Sequence, residues 1–212
     1  TAVWAGLRPL VKSTSGSADL SARTADLSRR HQVATSASGL VSVSGGKFTT
    51  YRKMAEDTVD VVMDRLDRAG RCRTKRLPLV GAPDQGSTSA PVDDADTSRL
   101  FRRYGTEAAA VRALVSGDPS LGEPLVPGLA YLRAEAVFAV RHEMATTLTD
   151  VLLRRTRAHL EDRAACRAAA PAVAALLAHE LGWSPERVEH EVAAYAAVCD
   201  AEAAAAGRPT RR

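Results

Sequence analysis

Aromatic residues are scarce in this sequence, where phenylalanine, tryptophan and tyrosine together make up 4% of 212 residues although 45% of the chain is hydrophobic. Strands are enriched in aromatic and β-branched side chains. Alanine is frequent after Ala130, and it is the best helix former. This composition argues against a β-sandwich and favours closely packed helices. The length suffices for one large domain or two modest ones.

Cysteine is also scarce. Cys72, Cys166 and Cys199 are odd in number, and no CxxC or Cys/His spacing links them, which predicts a reducing compartment and no structural zinc. No segment approaches the roughly 18 apolar residues that a membrane-spanning helix needs, and no signal-peptide pattern is visible. The chain begins with Thr1 and not with methionine, so we expect the natural N-terminus to lie further upstream.

The excess of positive charge is small, since 29 basic residues stand against 25 acidic ones and the net charge is +4. Such an excess attracts small anions as readily as nucleic acid, and a solvated basic surface is the simpler interpretation. The basic residues are interspersed with acidic ones, and no aromatic stacking platform accompanies them. We therefore expect no nucleic-acid partner.

Strand signals occupy the front of the chain and helical signals the rest. Apolar runs at residues 3–7, 30–35 and 40–43 predict strands, and the i, i+4, i+7 spacing that follows predicts a helix over residues 49–69. A stretch rich in glycine, proline, aspartate and serine precedes the helical region. The predicted divisions are a front domain over residues 1–70, a linker over 71–97, a helical domain over 98–207 and a disordered tail over 208–212.

Several residues predict where the later helices begin and end. Gly105 predicts a break, and Pro171 predicts the first turn of a new helix, where proline is tolerated. An apolar face of one helix is predicted to run as far as Met144 and Leu148. Ser184, followed by proline and glutamate, predicts a capped helix start.

The sharpest local feature is residues 40–52, which read as strand, glycine turn and helix. Glycines let backbone amides approach a ligand closely, and the first turn of a helix presents unpaired N–H groups with a partial positive charge. Lys47 adds a full charge and Thr49 and Thr50 add hydroxyls, so an anion or an electron-rich ring edge would be stabilised there. The alternative is an ordinary strand-to-helix turn with a threonine cap.

Two other segments carry candidate binding residues. Arg8 follows an apolar strand and is held by Pro9. A guanidinium group at the end of a strand is suited to bind phosphate. The commoner role of a lone arginine is a surface ion pair. Arg29 and Arg30 follow the same logic. The adjacent His31 is either a switchable acid or base or, as we favour, a hydrogen-bonded structural histidine. The remaining histidines lack ligand spacing and are interpreted as structural.

A third feature is a set of charged residues in the helical region. Glu143 and Asp150 are spaced to share a helical face, and Arg154, Arg155 and Arg157 follow closely. These residues are either functional or, as we favour, they tie a pair of helices together through carboxylate–arginine contacts.

In order along the chain, several motifs match one family. They are AGLRPL at residues 5–10, LSRRH at 27–31, SGGKFTTYRKMAE at 44–56, AEAVFAVRHEMA at 134–145 and LGW at 181–183. The sequence resembles the FAD-dependent glycerol-3-phosphate dehydrogenases. The resemblance implies a mainly α fold, in which a short β-containing remnant of an FAD-binding α/β domain precedes an all-helical C-terminal domain.

The resemblance also implies a reaction, in which sn-glycerol 3-phosphate is oxidised to dihydroxyacetone phosphate by hydride transfer to FAD, with quinone as the electron acceptor. Arg8, Arg29 and Lys47 would bind the substrate. The residues that would contact the cofactor are Gly45, Gly46, Lys47, Phe48, Thr49 and Thr50. The implied setting is a cytoplasmic homo-oligomer, or a protein held peripherally on the inner face of the membrane.

The sequence departs from the family pattern at its start. It contains no GxGxxG turn, and no residue in it matches the family's catalytic base. We therefore expect a fragment that is inactive alone and binds FAD weakly or not at all. A stand-alone helical protein-interaction module is the alternative, and a helical nucleic-acid-binding domain, suggested by the arginine pairs, is the weakest hypothesis.

Overall fold

The structure is a computed structural model, and it describes residues 30–83 and 95–207. The chain divides into two compact units between Leu79 and Val80. The described residues up to Leu79 are called the front unit, and those from Val80 onward the helical unit. Arg8 and Arg29, for which substrate contacts are predicted, lie outside the described residues.

The front unit contains a β-hairpin followed by one long helix. Strands β1 (His31–Thr35) and β2 (Val41–Gly45) are antiparallel, and His31 lies opposite Gly45 at one end of the ladder. A 3-10 turn (Phe48–Thr50) leads into helix α1 (Tyr51–Arg65). The helix is shorter than the predicted range of residues 49–69, because the 3-10 turn occupies its start and Asp67 has a φ of 50° just beyond its end.

The helical unit consists of short and long helices around two neighbouring apolar clusters. Its α-helices are α2 (Ala95–Tyr104), α3 (Ala108–Gly117), α4 (Arg133–His142), α5 (Ala158–Glu161), α6 (Arg163–Leu181) and α7 (Pro185–Ala206). Two 3-10 turns (Gly105–Glu107 and Pro119–Gly122) and one π-helical turn (Asp150–Arg155) lie between them. This confirms the predicted mainly α fold class. Within the described residues, every helix is too short or too polar to span a bilayer.

The larger apolar cluster joins α4, α6 and α7, and the smaller one joins α2, α3 and α4. Alanine lets these helices approach closely: Ala136, Ala139, Ala170 and Ala174 are essentially inaccessible to solvent. Tyr195 fills the space between the last helices and is also fully buried. The scarcity of aromatic residues is therefore compensated by close backbone approach, because small side chains shorten the distance between helix axes.

The sequence prediction for Pro171 was wrong, because Pro171 lies inside α6. The helix begins earlier, where the Asp162 carboxylate accepts a hydrogen bond from Ala165 N at 2.9 Å. Proline in a helix interior removes one backbone hydrogen bond and costs about 3 kcal/mol. Burial of Ala170 and Val173 on either side of the proline offsets that cost, so packing overrides the local signal.

The apolar face predicted to run through Met144 also differs in the structure. Helix α4 ends at His142, and Met144 has a φ of 58° and is 84% exposed. Ala145 N donates to Ala139 O, so the chain reverses before Leu148, which is buried in the larger cluster. The predicted break at Gly105 and the Ser184 cap, whose hydroxyl accepts from Arg187 N at 3.3 Å, are both confirmed.

A fully buried carboxylate ties α2 to α4. Glu135 lies in the first turn of α4 and contacts Arg99 Nη1 at 2.8 Å, Arg103 Nε at 3.0 Å and the Tyr104 hydroxyl at 2.9 Å. It also accepts a hydrogen bond from Leu132 N at 3.0 Å. Burial, reinforced by the negative charge of Glu135, raises the pKa of Tyr104. The helix N-terminus favours the negative charge at this position.

We predict that Glu135→Ala lowers the free energy of unfolding of the helical unit by about 3–5 kcal/mol, because it leaves buried guanidinium groups without their counter-charge. Urea denaturation of the 212-residue chain followed by far-ultraviolet circular dichroism measures the change. The control is Asp200→Ala, which breaks an exposed pair with Arg167 and should leave the unfolding midpoint unchanged. Equal midpoints for the two variants would contradict a structural role for Glu135.

Candidate functional site

The glycine turn, defined as residues 45–50, connects β2 to α1. Gly45 and Gly46 have φ values of 74° and 77°, which glycine adopts without strain, and Lys47 then returns to an extended conformation. The Thr50 hydroxyl accepts from Lys47 N at 3.2 Å and donates to Lys47 O at 2.9 Å. The Thr50 hydroxyl therefore holds the backbone of the turn in shape, although Thr50, at the N-cap of α1, makes no side-chain cap hydrogen bond to that helix.

The backbone of Gly46 is closely packed against two other elements of the front unit. A Cβ atom at Gly46 would lie 2.6 Å from Met54 Sδ and 3.2 Å from His31 Cβ. Met54 belongs to α1 and His31 to β1, so both elements press against the backbone of Gly46. The positive φ and this contact together require glycine here.

The side chains of the turn are open to solvent. Phe48 is 92% exposed and lies near Tyr51, with ring centroids 6.1 Å apart. Lys47 is exposed too, and among the described residues no carboxylate lies within 4 Å of its ammonium group. N–H groups at the start of a helix have no acceptor within it. The turn therefore offers backbone donors, a cation without a counter-charge and an aromatic surface at one place.

His31 is part of an ion-pair chain along α1, and not of an acid–base site in a cavity. Its Nε2 lies 2.7 Å from Asp57 Oδ2, and Asp57 Oδ1 lies 2.7 Å from Lys53 Nζ. The hydrogen bond from Lys53 and then the one with His31 hold the pKa of Asp57 below its usual range. This geometry agrees with the structural interpretation of His31.

The charged set around Glu143 does not share one helical face, because Glu143 lies beyond the end of α4. Asp150 accepts from Thr146 N and Thr147 N and pairs with Arg154 at 2.7 Å. Arg155 donates to the backbone carbonyl of Glu143 at 2.7 Å. Burial raises the pKa of the Glu143 carboxyl. These contacts shape the connection between α4 and the π-helical turn. They are not the predicted carboxylate–arginine contacts between two helices, because Arg155 bonds a backbone carbonyl and Asp150 pairs with Arg154 in its own turn.

The buried polar groups around Tyr195 were not predicted from the sequence. His159 is fully buried, with Nδ1 2.7 Å from the Tyr195 hydroxyl and Nε2 2.8 Å from Glu202. Burial raises the pKa of Cys166 to about 11 and also raises that of Cys199, which keeps both thiols protonated and poorly nucleophilic. Among the described residues, no three His, Cys, Asp or Glu side chains form a metal cluster.

A cavity of about 600 Å³ lies in the front unit, between α1 and the segment around residues 70–79. Ala55, Val59 and Met63 line it from α1, and Leu77 and Leu79 from the opposite side. Arg52 reaches across to Thr74 with a hydrogen bond of 3.2 Å. Residues 71–79 fall in the predicted linker, so the sequence did not predict this cavity. Tyr51, the residue that follows the glycine turn, also lines it.

Comparison with known proteins relates both parts of the chain to one group. Residues 72–188 match the family described as the C-terminal domain of alpha-glycerophosphate oxidase. Glycerol-3-phosphate dehydrogenase 1 of Mycobacterium tuberculosis is 44% identical over 161 residues, covering 76% of this chain and 31% of the relative. Glycerol-3-phosphate dehydrogenase 2 of the same organism is 36% identical over 217 residues, covering 98% of this chain and 36% of the relative.

A solved structure gives the same relationship. The glycerol-3-phosphate dehydrogenase from Bacillus halodurans, complexed with FAD, is 29% identical with a TM-score of 0.64, covering 81% of this chain and 36% of that one. The chain therefore spans about a third of the length of the curated relatives it matches.

We predict that Gly46→Ala destabilises the front unit more than Gly39→Ala does. Both glycines have positive φ, which costs about 1–2 kcal/mol for alanine. At Gly39, however, the new Cβ meets the flexible end of Arg65, whereas at Gly46 overpacking adds about 1–3 kcal/mol. Native-state hydrogen exchange of the β1 and β2 amides measures the difference, and equal losses of protection would contradict a close approach at Gly46.

Proposed function

The chain belongs to the FAD-dependent glycerol-3-phosphate dehydrogenase family, and from this premise we propose that it supplies the glycine turn and the helical C-terminal domain of a flavoprotein that oxidises sn-glycerol 3-phosphate to dihydroxyacetone phosphate. The observation that supports the proposal is the glycine turn itself, with two glycines at positive φ, the exposed Phe48 and a Lys47 that pairs with no carboxylate in the part of the chain that the structure describes.

The residues of the turn fit an FAD isoalloxazine ring. A flat ring edge needs close approach to backbone donors, which glycine backbone favours. The missing Cβ of Gly46 itself serves packing against Met54 and His31. The start of α1 contributes its partial positive charge toward the same place. Bound FAD would accept the hydride from C2 of the substrate. In this proposal Gly45, Gly46, Phe48, Thr49 and Thr50 hold the ring.

Substrate binding is assigned to cationic side chains. Lys47 has no carboxylate within 4 Å among the described residues, so its full charge is available to a phosphate or to an oxygen that develops negative charge. Arg8 and Arg29, outside the described residues, would donate parallel hydrogen bonds to the substrate phosphate, for which the guanidinium geometry is suited. The catalytic base is not assigned to any residue of this chain.

The setting of the reaction is proposed from the resemblance to the family. We propose quinone as the electron acceptor and a homo-oligomeric protein that is cytoplasmic or peripherally attached to the inner face of the membrane. The alternative function, a stand-alone helical interaction module, receives less support, because the matched relatives carry this helical region within longer proteins named glycerol-3-phosphate dehydrogenase.

We predict that Arg8→Ala, in a complete flavoprotein that contains this segment, raises KM for glycerol 3-phosphate by about ten- to a hundredfold, since losing a hydrogen bond to a charged group costs about 1.5–3 kcal/mol. FAD content should be unchanged. Steady-state kinetics and flavin absorbance measure the two quantities. Arg112→Ala, on an exposed face of α3, is the matched control, and an unaltered KM for Arg8→Ala would remove Arg8 from the site.

We further predict that the 212-residue chain alone neither retains FAD through purification nor oxidises glycerol 3-phosphate. The FAD pyrophosphate requires a glycine-rich turn in a parallel βαβ unit, whereas the described sheet is one antiparallel hairpin. Part of a pocket loses contacts but still bears the entropy cost of fixing the ligand. Visible absorbance and a dye-reduction assay test this; a stoichiometric yellow protein with turnover would overturn the prediction.

A further inference from the structure

The glycine turn lies between the hairpin and α1, which are in contact with each other. The ladder pair His31–Gly45 ends immediately before Gly46, and Met54 of α1 approaches Gly46 from the other side. None of the α1 side chains is buried. Among the described residues, the contacts between α1 and the hairpin are therefore made by side chains that are half-buried or exposed.

One side-chain hydrogen bond also connects the hairpin with the helix. His31 on β1 and Asp57 on α1 are joined at 2.7 Å, and their side chains are only 19% and 33% exposed. Asp57 lies one helical turn after Met54, so the pair and the Met54 contact act on the same stretch of α1. Among the described residues of the front unit, this is the ion pair that connects the hairpin with the helix.

We infer that the His31–Asp57 pair positions the glycine turn, by fixing the distance between β1 and α1 and thereby the orientation of the backbone from Gly46 to Thr50. His31 and Asp57 are positioning residues in this account, since neither needs to touch substrate or cofactor. The inference deepens the proposed function and rests on it where FAD and substrate are concerned.

The neighbouring Glu56 provides a matched control. Lys53 Nζ contacts both carboxylates, at 2.7 Å for Asp57 and 3.5 Å for Glu56, and Glu56 also pairs with Arg52 at 3.0 Å. Truncation of either acid to alanine therefore breaks contacts along α1, and neither truncation lowers helix propensity, because alanine is the best helix former. Of the two, only truncation of Asp57 removes a side-chain contact between the helix and the hairpin.

The first experiment uses the 212-residue chain without FAD. Backbone amide hydrogen exchange is measured for residues 46–50, and for the far end of the hairpin at Thr35 and Val41 as an internal reference. We expect Asp57→Ala to speed exchange in residues 46–50 by about three- to tenfold, the range for a partly buried ion pair, while Glu56→Ala leaves it unchanged. Equal effects of the two variants would overturn the inference.

Substitutions at His31 separate positioning from a general loss of stability. A glutamine side chain can donate a hydrogen bond to Asp57 as the imidazole does, whereas alanine cannot. We expect His31→Ala to reproduce the effect of Asp57→Ala and His31→Gln to restore most of the protection. If the amides of residues 46–50 exchange as fast in His31→Gln as in His31→Ala, the contact does not position the turn.

The second experiment uses a complete flavoprotein that contains this segment. If the turn contacts FAD, Asp57→Ala should shift the flavin absorbance bands and raise KM for glycerol 3-phosphate more than it lowers kcat, with Glu56→Ala unaffected. Unchanged bands and KM after a positive exchange result would refute the proposed cofactor contact but leave the positioning of the turn standing. The two failures are therefore distinguishable.

Discussion

The contact of Glu135 with two guanidinium groups is the interaction on which the first half of the helical unit depends. The carboxylate is fully buried and joins α2 to the first turn of α4 through Arg99, Arg103 and Tyr104. A buried charge is tolerated only when it is paired and hydrogen-bonded. This requirement fixes the register of the two helices, because any slippage along their axes would leave charge without a partner in the interior.

The second half of the helical unit uses the same principle with different groups. Glu191 of α7 accepts a hydrogen bond from Leu148 N at 2.9 Å and pairs with Arg187 at 2.6 Å. His159 links Tyr195 and Glu202 of α7 to α5. Each polar group orients an alanine-rich helix whose small side chains alone would allow several packings. Specific pairing of polar groups therefore fixes how these helices pack, a role that large aromatic side chains have in the cores of other proteins.

The front unit has the opposite character, since its side chains are largely exposed and its charged contacts lie near the surface. Its glycine turn depends on the absence of a side chain at Gly46 and on the contact between His31 and Asp57. A site built in this way offers backbone together with the exposed Lys47 and Phe48 to a ligand, while Met54 and His31 pack against Gly46. That arrangement suits recognition of a flat, electron-rich ring and supports the proposed role in a flavoprotein.

The sequence by itself determined the helical character of the chain, the hairpin strands, the capped start of α7 and the position of the glycine turn, because each follows from local periodicity, turn chemistry or a contiguous motif. Tertiary structure decided the rest. Pro171 remains within α6 because burial on both sides outweighs a lost hydrogen bond, and Met144 turns outward because the chain must reverse before Leu148. The side-chain partners of Glu135, His159 and His31 lie between 26 and 43 residues away, and no local pattern specifies such contacts.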